Sequence, residues 1–210
     1  MMTSTEDYKL ISPYKNVEQY TMILLEPYQM NSDIRIHLKA NLKKKVEKKC
    51  NKNGYIDEVY KIVEHGDGIM HPENLSGNVL YNIKYHCKLC LPIENSVIIS
   101  QVKVINQDLV ITINGPIMNF IPKDNIDSTI WNVYENFKHM KKENTNLKIG
   151  DFVLVQILNK RINSGDSQIK TICKLLDFAS TNQIKKYFEN STDEIVNVNT
   201  MEEDQTNFII

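Results

Sequence analysis

Alanine and arginine are almost missing: the 210-residue chain holds two of each. Glycine (7) and proline (6) are also scarce, which excludes collagen-like and Gly/Pro-rich low-complexity chains. The four cysteines, Cys50, Cys87, Cys90 and Cys173, are too few and too scattered for a secreted disulfide scaffold. No apolar run approaches the roughly 18–20 residues that a membrane-spanning helix needs, so no membrane partner is expected. An excess of one charge is lacking as well. With 25 basic and 26 acidic side chains the formal net charge is −1, which is not the balance of a dedicated nucleic-acid binder. The stretch Met1 to Asp7 has neither the basic nor the apolar region of a signal peptide, so an intracellular location is expected.

In their place stand 27 Ile, 24 Asn and 23 Lys. These residues use A/T-rich codons, whereas Ala, Arg, Gly and Pro need G/C. The preference for Lys over Arg therefore reads as genome bias, and a single lysine carries little functional information. The hydrophobic share, 41%, is that of a globular protein.

Residues 1–18 read as a polar N-terminal extension with no clear period. Tyr20 to Glu26 is a short apolar run closed by Pro27, expected as a buried strand. Ser32-Asp33 reads as an N-cap. Beyond it Ile34, Leu38, Leu42 and Val46 recur every four residues as the apolar stripe of a helix. Lys39, Lys43, Lys44, Lys45, Lys48 and Lys49 occupy its other faces, by default a solvated surface. Asn51 to Gly54 is a turn, and Tyr55 to Val63 a strand. Gly66, Gly68 and Pro72 mark an exposed loop. Val79, Tyr81, Ile83 and Tyr85 alternate with Leu80, Asn82, Lys84 and His86 as a strand with one buried face. The spacing predicts an α+β unit over 19–95, ordered strand-helix-strand-strand.

From Ser96 the pattern is all β. Val97–Ile105, Leu109–Ile113 and Ile117–Ile121 are closely spaced strands. A polar excursion over 123–149 follows, with Trp131, Tyr134 and Phe137 at near-helical spacing. Phe152–Ile162, the turn Asn163–Asp166 and Gln168–Leu176 complete the set. Five strands with the longest connection between the third and fourth are the pattern of an OB-fold barrel, expected over 96–178. Residues 179–210 hold one short helical stretch near Gln183–Phe188, then read as an acidic, largely flexible tail.

Enzyme signatures are absent. There is no phosphate loop, no G-x-G-x-x-G and no H-E-x-x-H, and no catalytic residues or cofactor are expected. Cys87-x-x-Cys90 raises the question of zinc, with Cys50, His71 and His86 as further donors. Positions i and i+3 of a strand face opposite ways, and the spacings match no standard ribbon, so buried thiols are expected and no metal. A hydrolase built on Cys50, Cys87 or a histidine lacks a third group for a triad. Binding remains. Lys103, Lys123, Lys160, Arg161 and Lys170 could meet phosphates, with Phe120 and Tyr134 as stacking groups; the bland alternative for Phe120 is that it fills the barrel. Any such contact is expected to be weak and salt-sensitive. In the loop, Ile69, Met70 and Pro72 between Gly66-x-Gly68 and Gly77 form an apolar tip suited to docking. The alternative is a loop that folds back on its own unit.

Several stretches together resemble one family. Val46 to Ile56 is similar to its Val-Glu-Gly-x-Cys…Gly-Phe/Tyr-Ile/Val junction, with Lys48 in place of the glycine. Gly66-Asp67-Gly68-Ile69 with Pro72, then Gly77 to Tyr81 and Ile83-Lys84-Tyr85, resemble its tip loop and next strand. Ile113-Asn114-Gly115-Pro116 with Phe120-Ile121, Ile157–Arg161 and Ile172–Asp177 resemble its barrel turn and last strands. Where the family has Glu-Gly or Gly-Glu before the barrel, this chain has Glu94-Asn95-Ser96, and a glycine of the family near the second barrel strand is replaced around Gln107-Asp108. The family is the seventh-subunit type of multisubunit DNA-directed RNA polymerases, which has an archaeal counterpart, and the resemblance spans about residues 19–178. It implies a non-catalytic stalk subunit beside the RNA exit path. A tip domain would dock on the largest subunits and the small subunit at the stalk base through Gly66, Gly68, Ile69, Met70 and Pro72. The barrel would contact nascent RNA weakly, and a helical partner of the fourth-subunit type belongs to the same picture. Divergence with A/T bias points to a large DNA virus, hence host cytoplasm and virion, or to an A/T-rich protist, hence the nucleus. The rival is a free-standing OB-fold protein that binds single-stranded RNA.

Overall fold

The computed structural model describes residues 8–72, 75–128, 130–132, 137–140 and 146–189. Its contacts divide the chain into two units. One is Tyr14–Leu91 together with Ile162–Gln168; the other takes, among the described residues, those within 8–13, 92–161 and 169–189.

The N-terminal unit runs β1 (Tyr14–Leu25), α1 (Ile34–Val46), β2 (Lys49–Asn51), β3 (Gly54–His65) and β4 (Val79–Cys90). The strands form one antiparallel sheet in the order β1-β4-β3-β2. Leu38 and Leu42 of α1 are fully buried against Ile23, Leu25, Ile56, Val59, Ile83 and Tyr85, and Ile34 and Val46 of the same stripe pack at the edge of this core. Asp33 is the N-cap residue, but its side chain makes no capping bond; Asn31 Oδ1 instead accepts from the Asp33 amide at 2.9 Å. Lys43, Lys44 and Lys45 lie in the last turn, where cations meet the negative end of the helix dipole.

β1 begins six residues before the expected strand, pairing Tyr14–Gln19 with Cys90–Tyr85. On the side of Ile23 and Leu25 this stretch carries Lys15 and the buried Gln19, polar where a half-buried strand shows apolar residues, so the alternation is masked. The run from Tyr20 is likewise half-buried rather than buried: Ile23 and Leu25 face α1, while Tyr20, Met22 and Leu24 are exposed. The Asn51–Gly54 turn is tight for a physical reason. Gly54 has φ +146, and a Cβ there would lie 2.7 Å from the Cys90 carbonyl oxygen, so only glycine fits.

The second unit holds β5 (Val97–Ile105), β6 (Leu109–Asn114), β7 (Ile117–Pro122), β8 (Trp131–Asn132), β9 (Lys138–His139), β10 (Phe152–Arg161) and β11 (Ile169–Phe178). Five of these strands close a barrel in the order β5-β6-β7-β11-β10, and only β7–β11 is parallel. The arrangement fits an OB-type barrel. Among the described residues the chain is mostly β, with one further α-helix, α2, at 181–189.

Three expectations for this region need correction. The near-helical spacing of Trp131 and Phe137 in the 123–149 excursion does not mark an α-helix among the described residues: β8 and β9 pair as a small ribbon, and Trp131, Phe137 and Leu147 are buried. Trp131 Nε1 donates to the Leu176 carbonyl at 3.2 Å, and its ring meets those of His139 and Phe178 at 4.9 and 5.0 Å. Tyr134 lies outside the described residues. Residues 8–13 are not a bare extension, since the Ile11 amide donates to the Val97 carbonyl at 3.1 Å within the barrel unit. The segment from 179 is ordered through 189. Ser180 and Gln183 form a capping box, and Tyr187 is buried with its hydroxyl accepting from Asn114 Nδ2 at 3.0 Å. α2 contains the helical stretch expected near Gln183–Phe188; what the local pattern does not show is its tertiary anchor at Tyr187.

Candidate docking loop and nucleic-acid interface

The loop between β3 and β4 is held by backbone pairing. Ile69 and Leu80 exchange both hydrogen bonds at 2.8 and 2.9 Å, and the Gly66 amide donates to the Asn82 carbonyl at 2.9 Å. The pairing requires glycine at 68. A Cβ there would stand 2.5 Å from Val79 Cγ1 and 2.8 Å from the Tyr81 ring. The backbone thus folds back on β4 while the side chains do not: Ile69, Met70 and Pro72 are exposed, as are Gly66 and Gly68. Leu75 beyond them is 99% exposed. Sequence reasoning missed that the apolar surface continues onto β1. Leu24 stands opposite Leu80, which pairs with Ile69, and Met22 is the next outward residue. A strict alternation count over Tyr20–Leu25 would have exposed this row.

Below it the outward sheet face becomes charged. Glu18 accepts from Lys84 at 2.7 Å and lies 3.1 Å from His86 Nε2. The Lys84 hydrogen bond holds the Glu18 carboxyl below the usual carboxylate value. The lysines at the end of α1 are largely occupied. Lys45 Nζ donates to the Met22 carbonyl at 2.6 Å, Lys49 Nζ to the Lys44 carbonyl at 3.3 Å, and Lys48 pairs with Asp57 at 2.6 Å. A cleft of about 310 Å³ beside them is lined by Gln19, Asn51 and Tyr85 among others.

In the barrel the candidate residues separate. Phe120 does not fill the interior. It lies on the outward side of β7, half-buried, in one row with Ile111 of β6 and Ile172 of β11. Lys170 is exposed on the same face beside Met118, and Arg161 of β10 is its register partner. Lys103 is exposed on β5, at the bulge between Val102 and Val104. Lys123 sits in a 3-10 turn after β7, its amide donating to the Asp108 carbonyl at 3.0 Å. Lys160 is tied down, donating to the Pro92 carbonyl at 3.0 Å. Phe120, Lys170 and Arg161 therefore share a region, while Lys103, Lys123 and Lys160 do not join it. Lys174, two positions past Ile172 on the outward side of β11, was missed; the alternation Lys170-x-Ile172-x-Lys174 carries the signal.

The interior is more polar than the sequence indicates. Asn119 Nδ2 donates to Ser100 Oγ at 2.8 Å and to Thr112 Oγ1 at 3.2 Å, and Thr171 Oγ1 donates to Asn119 Oδ1 at 2.7 Å. All four side chains are buried. Such a network specifies one packing only when every member is satisfied.

The four cysteines are free and buried. Burial pushes the Cys87 and Cys173 thiols up to about 11 and raises Cys50 and Cys90 as well, so none is a ready thiolate at neutral pH. Among the described residues no group of three or more His, Cys, Asp or Glu is placed to hold a metal ion. None of the described helices is long and apolar enough to cross a membrane.

No family model matches the chain. A protein of Acanthamoeba polyphaga mimivirus, named "Putative DNA-directed RNA polymerase subunit", is 35% identical over 187 residues, covering 89% of this chain and 92% of that protein. The chain belongs to that family of RNA polymerase subunits. The match extends well beyond either unit, so both units are part of what the family shares. The apolar loop of the sheet unit and the outward barrel face are the candidate contact surfaces of this family member.

Proposed function

We propose that the chain is a non-catalytic stalk subunit of a multisubunit DNA-directed RNA polymerase, of the seventh-subunit type that archaeal polymerases share. The observation that carries this finer reading is a backbone one. At two of the three places where that family's pattern has glycine and this chain does not, Lys48 and Asn95, φ is +58 and +63, while at the third, Gln107-Asp108, neither residue has positive φ. Left-handed backbone is what glycine serves and other residues tolerate at a cost. The departures at Lys48 and Asn95 therefore keep the conformation that glycine serves. An α/β sheet unit followed by an OB-type barrel supports the same assignment.

In this reading the sheet unit is the tip domain. Its loop residues Gly66, Gly68, Ile69, Met70 and Pro72 dock on the polymerase core, among the largest subunits and the small subunit at the stalk base. A helical partner of the fourth-subunit type would share the stalk. The barrel offers Phe120, Lys170 and Arg161 to nascent RNA, with Lys103, Lys123 and Lys160 at the margin. With a net charge of −1, the contact relies on being tethered near the transcript more than on intrinsic affinity. The protein would work wherever its polymerase works; for a large DNA virus that is the cytoplasmic factory of the host cell, and the virion.

The test is affinity purification of the tagged chain from its native source. Co-elution with two very large polymerase subunits is expected; recovery as a free monomer overturns the reading. Ile69→Asp with Met70→Asp should lower that co-elution at least about tenfold, since charge in a buried apolar contact is costly. The variant's circular dichroism should be unchanged, because both side chains are exposed.

A further inference from the structure

The outward face of β6 and β7 is unusual for a barrel surface read as a nucleic-acid platform. Its six outward positions, Leu109, Ile111, Ile113, Met118, Phe120 and Pro122, are all apolar, and all are only partly buried. One aromatic ring in six is poor provision for base stacking. β11 borders the patch with Lys170, Ile172 and Lys174, where Ile172 is 45% exposed. The acids near this sheet, Asp108 and Asp124, flank its far end, beyond Leu109 and Pro122. The surface asks for a ligand that is apolar and acidic together.

The chain carries one. Residues 190–210 contain five acids (Asp193, Glu194, Glu202, Glu203 and Asp204), no Lys, Arg or His, and apolar groups including Ile195, Val198 and Phe208. Their point of departure is fixed. α2 ends at 189, and Tyr187 is hydrogen-bonded to Asn114, the last residue of β6. Asn114 is three residues from Ile111 on the same strand, roughly 10 Å along it. Twenty-one residues of extended chain span up to about 70 Å, so the whole patch is within reach.

We propose that residues 190–210 dock on the outward face of β6, β7 and β11, over Phe120 and Ile172, with their carboxylates against Lys170 and Lys174. Docking rests on the chemistry of this surface alone. Its consequence for RNA rests on the reading given under Proposed function: the chain occupies its own barrel face, and a transcript must displace an intramolecular competitor. A tethered segment competes at an effective concentration of order millimolar.

Carbodiimide cross-linking of the dilute full-length chain, followed by peptide mass mapping, tests the docking. The expected product has monomer mass and joins tail carboxylates to Lys170 or Lys174. Lys170→Glu with Lys174→Glu should remove these links, and both lysines are on the surface, so the fold should persist. Links spread evenly over lysines elsewhere in the chain, or found only in dimers, overturn the proposal. A second arm uses the full chain with Asp193→Asn, Glu194→Gln, Glu202→Gln, Glu203→Gln and Asp204→Asn, and a labelled twelve-nucleotide oligouridylate. Its affinity should rise about fivefold or more as the competitor weakens. If the links form but this affinity is unchanged, docking stands and the assignment of RNA to the barrel face is what fails.

Discussion

In the N-terminal unit an open four-stranded sheet has one face beneath α1 and, among the described residues, the other face bare, whereas the barrel strands close on themselves and leave no edge to cover. The two units differ inside as well. Leu38, Leu42 and their neighbours make the sheet unit's core almost wholly apolar, while the barrel encloses the Asn119 network. The lesson concerns what each unit still requires. A closed barrel has satisfied its backbone internally, so any contact on its outer surface is made by side chains alone. An open sheet that exposes Tyr20, Met22, Leu24, Ile69 and Met70 presents apolar area that is stabilised only by a partner.

The comparison can be broken from the core outward. Leu42→Ala empties a fully buried site under α1 and should cost about 2–5 kcal/mol. Urea unfolding should show the loss in the transition that exposes the sheet unit; a loss under about 1 kcal/mol would mean that α1 is not what covers this sheet. Asn119→Ala leaves the hydroxyls of Ser100, Thr112 and Thr171 without their shared partner and should cost about 2–3 kcal/mol. If that variant is neutral in the same assay, the barrel interior is held by its apolar residues and the contrast drawn above fails. Gly68→Ala pushes a methyl into Val79 and Tyr81 and should cost about 1–3 kcal/mol. Faster amide exchange at Ile69 and Leu80 is the specific readout, since those amides make the pairing.

Lys48→Gly has the smallest expected effect. It relieves a left-handed backbone worth about 1 kcal/mol, but loses the Asp57 pair, which is exposed and worth little, and adds unfolded-chain entropy. A gain of about 0.5 kcal/mol or less is expected in thermal unfolding. A clear loss would show that the Lys48 side chain matters more than its backbone.

Much of the fold is legible in the sequence. The four-residue recurrence of Ile34, Leu38, Leu42 and Val46 locates α1, because a helix face repeats on that period. Alternation locates β4, and short apolar runs between turns locate the barrel strands. The start of β1, the ribbon at Trp131, and the anchor of α2 are hidden, although the helical stretch of α2 itself is legible near Gln183–Phe188. Each depends on a few long-range contacts, such as Tyr187 to Asn114 across 73 positions of sequence, that leave no local period. The docking loop is readable as an apolar segment between glycines, but its continuation over Leu24 and Met22 depends on strand register. Of the barrel candidates, Phe120 and Lys170 are readable without their shared face, and Lys174 is overlooked between two buried positions.

The sequence by itself determined the composition, the near-neutral charge and the succession of an α/β segment and a five-strand segment, since these follow from local pattern and turn chemistry. Only the tertiary structure decided which side of each strand is exposed. A one-residue change of register exchanges the two faces of a strand, so Phe120 is filler or surface according to how β7 sits between β6 and β11. Lys48 belongs to the same class. Its letter says lysine, its φ of +58 says glycine, and the conformation is imposed by the neighbours that fix the chain between α1 and β2.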